Sequence, residues 1–125
     1  MAVIRKTYEA TFFTTQSGRR PVQGWLMELP PQDRKTIGEG IATLEFSWPV
    51  GKPECSPISG VAGLYEVRSH ISDGRIARVF LVLTGAQMVL LHGFVKKTQK
   101  TPEKELDLAK SRMKEVKRYE DENET

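Results

Sequence analysis

Arginines set inside apolar, strand-like runs are the strongest chemical signal in this chain. Along Leu64–Ile71, alternation puts Leu64, Glu66, Arg68 and His70 on one face of a strand and Tyr65, Val67 and Ser69 on the other. A face carrying Glu, Arg and His is not a core face, which leaves Tyr65 to the core. In Arg75–Thr84, Arg78 interrupts a run of Ile76, Ala77, Val79, Phe80, Leu81, Val82 and Leu83. An arginine in mid-strand is costly to bury alone, so it either pairs with Glu66 or lines a cleft. The third run, Gln87–Lys96, closes with His92-Gly93-Phe94-Val95-Lys96 and is followed by Lys97. If the runs pair in sequence order, Arg68, Arg78 and the Lys96/Lys97 pair converge on one side of a sheet.

Such a set suits RNA strand scission without a metal. The ribose 2′-OH attacks its own phosphate when Arg and Lys neutralise the developing charge and another group moves the protons. The same residues also allow a Glu66–Arg68–Arg78 ion-pair network on an exposed sheet face, and a His92 that is only packed or solvated. Other chemistries are poorly served. Metal sites need clusters of His, Cys or carboxylates, and of the first two types the chain has His70, His92 and Cys55. With no P-loop and no dinucleotide glycine fingerprint either, no metal and no cofactor is expected. Cys55 lies in a loop stretch with no evident base partner and reads as a structural or incidental thiol.

Periodicity supplies the elements that must position these residues. Val3–Thr14 mixes β-branched and aromatic residues and reads as a strand, followed by a turn at Ser17-Gly18. From Pro21, the residues Val22, Trp25, Leu26 and Leu29 make one face of a short helix that stops at Pro30-Pro31. Pro31 opens a second helix with an apolar stripe of Ile37, Ile41, Leu44 and Trp48. Gly38 and Gly40 inside it each cost about 1 kcal/mol relative to Ala. These helices form an αα-hairpin, and residues 49–63, rich in Pro and Gly, form a loop. Ser72-Asp73-Gly74 and Gly85-Ala86 separate the three apolar runs, which make an antiparallel meander. Consecutive apolar residues over Met88–Leu91 mark a strand covered on both faces. Thr101-Pro102 reads as an N-cap with Pro at the first helical position, and Leu106, Ala109, Met113 and Val116 stripe the final helix. The order is β-α-α-β-β-β-α, an α+β fold with an antiparallel sheet against an αα-hairpin and a C-terminal helix.

At 125 residues the chain has room for one domain, expected over 1–118 with an acidic, frayed tail over 119–125. Its 38% apolar content excludes a disordered chain, and a lone cysteine excludes a disulfide scaffold. No apolar run approaches the roughly 20 residues of a membrane helix, and the N-terminus lacks a signal-peptide pattern. A reduced, cytoplasmic setting is expected. The net charge of +3 is unevenly spread. Residues 1–95 carry ten Lys/Arg and eight Asp/Glu, residues 96–118 carry nine and four, and residues 119–125 carry four acids and no base. A basic body suits a polyanion partner, because neutralising phosphates releases counterions, although solvation of the surface accounts for the same charge. Lys100, Lys104, Lys110, Lys114 and Lys117 are the expected RNA-docking residues.

Gly63-Leu64-Tyr65-Glu66-Val67-Arg68, then Arg78-Val79-Phe80, then Leu90 through Pro102 with its His-Gly-Phe-Val-Lys-Lys stretch, resemble the RelE/ParE superfamily of type II toxins. The HigB-like branch, which includes phage-derived proteins, is the most similar. Ser17–Val22 and Trp25-Leu26 also fit, so the resemblance spans residues 8–115 or so. It implies a RelE-like α+β fold and a ribosome-dependent mRNA endonuclease held inactive by a cognate antitoxin, often one with a helix-turn-helix domain. It matches Arg68 and Arg78 to basic strand residues that stabilise the scissile phosphate, and Lys96 or Lys97 to a later basic residue. Glu66 departs from the pattern, standing where RelE has another lysine, and Thr101-Pro102 occupies the region of RelE's C-terminal tyrosine. The resemblance leaves proton transfer unassigned; His92 or His70 could supply it, as HigB-type toxins use histidine. The alternatives are a ParE-like inhibitor that blocks DNA gyrase by binding and an inactive phage-derived homologue. Retention of Arg68, Arg78 and Lys96-Lys97 favours the nuclease.

Overall fold

The computed structural model describes residues 5–96 and 100–123. Val3, Ile4 and Lys97, each part of an expectation above, lie outside them. The first strand, β1, is Glu9–Phe12; helices α1 (Pro21–Met27) and α2 (Pro31–Ser47) follow. Then come strands β2 (Cys55–Pro57), β3 (Leu64–His70), β4 (Ile76–Thr84) and β5 (Gln87–Lys96), and helix α3 (Glu103–Asn123). The strands form one sheet in the order β1-β5-β4-β3-β2.

The meander forms where expected, and β5 has the expected bounds. Other features depart from the sequence reading. The stretch read as a loop contains β2, which pairs antiparallel with β3 through Cys55–Val67 and Pro57–Tyr65. Strand β1 lies parallel to β5, so the sheet is mixed rather than antiparallel. Trp48 is not the last residue of the α2 stripe; it is extended, at φ −58° and ψ 136°. Pro49 follows it, and the residue before a proline is pushed out of the helical region by the ring.

Both faces of the sheet are covered. Val22 and Leu26 of α1 and Ile37, Ile41 and Leu44 of α2 pack with Val67, Val79, Leu81 and Leu90. On the opposite face Ala109 and Met113 of α3 pack with Leu64, Phe80, Val82, Leu91 and Phe94. The face bearing Glu66 and Arg68 is therefore a core face over much of its length, contrary to expectation. Gly40 lets α2 settle on β3, since a Cβ there would meet Ser69 Oγ at 3.1 Å. The outer edge of β1 is closed by α2: the Glu45 carbonyl accepts from Thr7 and Tyr8, and its carboxylate accepts from the Ala10 N–H at 2.8 Å. Helix α3 continues through Asn123, so the acidic stretch expected to fray begins as helix.

A β-bulge sets which side chains meet α3. Phe80 pairs with His92 but Leu81 pairs with Leu90, leaving Leu91 as the extra residue. Met88 and Leu90 face the hairpin core, and simple alternation would send His92 there too. The bulge turns both Leu91 and His92 toward α3.

Candidate functional site

Directly paired strand residues project from the same face, and the register lines up three rows on the α3 side of the sheet. Glu66, Phe80 and His92 form one, Arg68, Arg78 and Phe94 the next, and His70, Ile76 and Lys96 the last. Of the set expected to converge, Arg68, Arg78 and Lys96 lie on one side of the sheet, and Lys97 is outside the described residues.

Arg78 is buried, at 1% exposure, and pairs with Glu66. Glu66 Oε1 accepts from Arg78 Nη1 at 2.7 Å and from Arg68 Nε at 3.2 Å. Its Oε2 accepts the Thr101 hydroxyl at 3.0 Å, and Thr101 Oγ1 lies 3.5 Å from Arg78 Nη1. An ion-pair network does form, but it is a largely buried one, not the exposed lattice the residues also allowed. Arg68, with 28% of its side chain exposed, is the arginine that reaches the surface. Helix α3 starts at Glu103, and the Pro102 carbonyl accepts from Glu105 and Leu106. Thr101, read as a cap, spends its hydroxyl on Glu66 instead.

His92 is held under α3. Its Nε2 bonds the Glu105 carboxylate, and its Nδ1 lies 3.4 Å from Arg112 Nη1. Arg112 also donates to the Leu91 carbonyl at 2.8 Å and covers the Phe13 ring at 5.7 Å. Burial lowers the Arg112 pKa, with Arg19 pressing the same way and Glu115 opposing. The His92 ring is stacked with Phe94. It sits one row along and two strands across from Arg68, about 12 Å away at normal strand spacing. Sequence reasoning missed Thr101, Glu105 and Arg112 as partners. Glu105 and Arg112 are seven residues apart, two helical turns, and that same-face spacing was the available signal.

Lys96 is half-buried, His70 is exposed, and Lys97 lies outside the described residues. Lys100, Lys104, Lys114 and Lys117 are exposed and Lys110 is half-buried. On the continuous α3, Lys110, Lys114 and Lys117 share one face, and Lys104 is turned about 120° from Lys110. Cys55 is buried, and burial with the nearby Glu66 pushes its thiol pKa up to about 11. No three His, Cys, Asp or Glu side chains gather into a metal-holding group among the described residues. Among them, no helix is long and apolar enough to cross a membrane.

A family profile described as Phage derived protein Gp49-like (DUF891) matches residues 24–114. The chain belongs to that Gp49-like family. The family is RelE-like and toxin-like, and an antitoxin partner goes with that character. The matched segment of this Gp49-like protein runs from α1 into α3 and contains every member of the Glu66–Arg68–Arg78–Thr101 network and of the His92–Glu105–Arg112 group. No curated protein matches the chain.

Proposed function

We propose that this Gp49-like protein is the toxin of a type II toxin–antitoxin pair, of the HigB-like kind, and cuts mRNA on the ribosome in the cytoplasm. The observation that supports it most is the joint hold of Glu66 Oε1 on Arg68 and Arg78, with Lys96 in the adjoining row of the same face. In this reading Arg68 binds a non-bridging oxygen of the scissile phosphate. Lys96 adds positive charge beside it as the 2′-OH attacks phosphorus and the 5′-oxygen leaves with a proton. The products are a 2′,3′-cyclic phosphate and a 5′-hydroxyl end. Arg78 is too deeply buried for that contact and serves by fixing Glu66. His92 anchors α3 in this scheme, since both its ring nitrogens are engaged. The exposed lysines of α3, with Lys100, dock on RNA, and a helix-turn-helix antitoxin blocks the toxin.

The burial of Arg78 favours a second reading, in which the face binds a target without breaking bonds, as a ParE-like gyrase inhibitor would. One experiment separates the two. The protein is induced, mRNA 5′ ends are mapped, and gyrase supercoiling is assayed beside them. New 5′ ends within translated mRNA with normal supercoiling are expected; relaxed DNA with uncut mRNA would transfer the assignment to gyrase.

A further inference from the structure

We infer that Thr101 is a positioning residue, holding Glu66 so that a single carboxylate oxygen serves both arginines. The geometry stands by itself, and only the kinetic consequence rests on the nuclease reading. The terminal torsion of a glutamate is broad and roughly two-fold, so the carboxylate plane needs an external hold. Without a donor on Oε2 the group can turn and offer one oxygen to each arginine. The Thr101 hydroxyl supplies that donor at 3.0 Å, leaving Oε1 to take Arg78 Nη1 and Arg68 Nε. Thr101 comes from the segment ahead of α3, so strand pairing does not enforce the contact. A guanidinium tethered through Nε turns its Nη1/Nη2 end away from the tether. That end is the fork which meets two phosphate oxygens in plane. Thr101, acting through Glu66, therefore contributes to the direction of Arg68 without touching the substrate.

The test uses full-length wild type, Thr101→Val and Thr101→Ser, with melting temperatures measured in parallel; Thr101→Ala replaces the valine variant if that one does not fold. The Arg68 Nε–H resonance is followed by NMR, and cleavage is followed on programmed ribosomes. Thr101→Val should shift the resonance and speed its exchange with water. It should also slow cleavage at saturating ribosome roughly 10- to 100-fold, the effect of losing one hydrogen bond to a charged group. The ribosome concentration at half-maximal rate should stay within about twofold if Arg68 acts in the transition state. Thr101→Ser, which keeps the hydroxyl, should restore both readouts. An unchanged resonance, or a serine variant that behaves like valine, overturns the proposal. Faster cleavage in Thr101→Val overturns it too, since Glu66 would then be a competitor of the phosphate. If the wild type cuts no mRNA, the nuclease reading fails, and the resonance still decides whether Thr101 positions Arg68.

Discussion

Arg68 and Arg78 stand opposite each other on β3 and β4, and Glu66 Oε1 accepts from both guanidiniums. Like charges in that relation repel across a ladder. The shared oxygen converts the repulsion into a network whose members differ in exposure, 28% for the Arg68 side chain against 1% for Arg78. That asymmetry assigns different costs to their removal.

Arg78→Ala should lower stability by about 3–5 kcal/mol, because it takes the main partner from a buried carboxylate. Arg68→Ala should cost no more than about 1 kcal/mol, as for other solvent-reaching pairs. Urea denaturation checks both. In cleavage the order reverses among folded variants: Arg68→Ala should lose about 10²–10³ in rate, with Arg68→Lys recovering only part. Equal stability losses would show that Arg78 is not the buried anchor.

Trp25 packs against Gly93, and a Cβ there would come within 2.4 Å of two carbons of the indole ring. Gly93→Ala should therefore destabilise by about 1–3 kcal/mol through overpacking. In the Trp25→Leu background the same change should cost less. A thermal-melt double-mutant cycle measures the coupling.

Asp33 of α2 accepts from the Ser72 N–H at 3.0 Å, the Ser72 hydroxyl at 2.8 Å and Arg75 Nη2 at 3.0 Å. The Ser72 bonds, helped by Arg75 and opposed by burial, hold its carboxyl below the usual aspartate range. A carboxyl depressed in the folded state adds stability above its unfolded pKa, and that stability is lost as pH falls through the folded value. Asp33→Asn should thus be less stable than wild type at pH 7, and the gap should close in the acid range. Urea midpoints across pH report it; a gap independent of pH would remove the charge from the explanation.

Cys55 should be nearly inert in the native state. A pKa of about 11 leaves roughly one thiol in a thousand ionised at pH 8. Reaction with a thiol reagent should be slow until denaturant is added, then fast. Prompt labelling of folded protein would contradict the burial.

Neutral replacements of Lys110, Lys114 and Lys117 should flatten the salt dependence of ribosome binding, by up to about 0.7–0.9 log units per lost phosphate contact. Lys104→Gln should do less, since it points elsewhere on α3. The cleavage rate at saturating ribosome should hardly change in any of them. Lys96→Gln should instead slow cleavage, because Lys96 shares a sheet face with Arg68.

Local order is what the sequence by itself determined. The apolar run Gln87–Lys96 and the Gly85-Ala86 turn ahead of it bound β5, and the stripe of Ile37, Ile41 and Leu44 identifies the buried face of α2. The same is true of Arg68 and Arg78 facing one another, because a short turn between adjacent strands dictates their register. Tertiary structure decided what depended on distant partners. Cys55–Pro57 is a strand only because β3 pairs with it, and β1 runs parallel to β5 across some 75 residues of intervening chain. Arg78 reads as paired with Glu66 or lining a cleft because a charge buried alone is costly; the pairing forms, and it is tertiary structure that buries it, with Thr101 brought over from the far end of the meander. His92 was aimed by a bulge at Leu91, one extra residue that reverses the alternation on which any reading of its face depends.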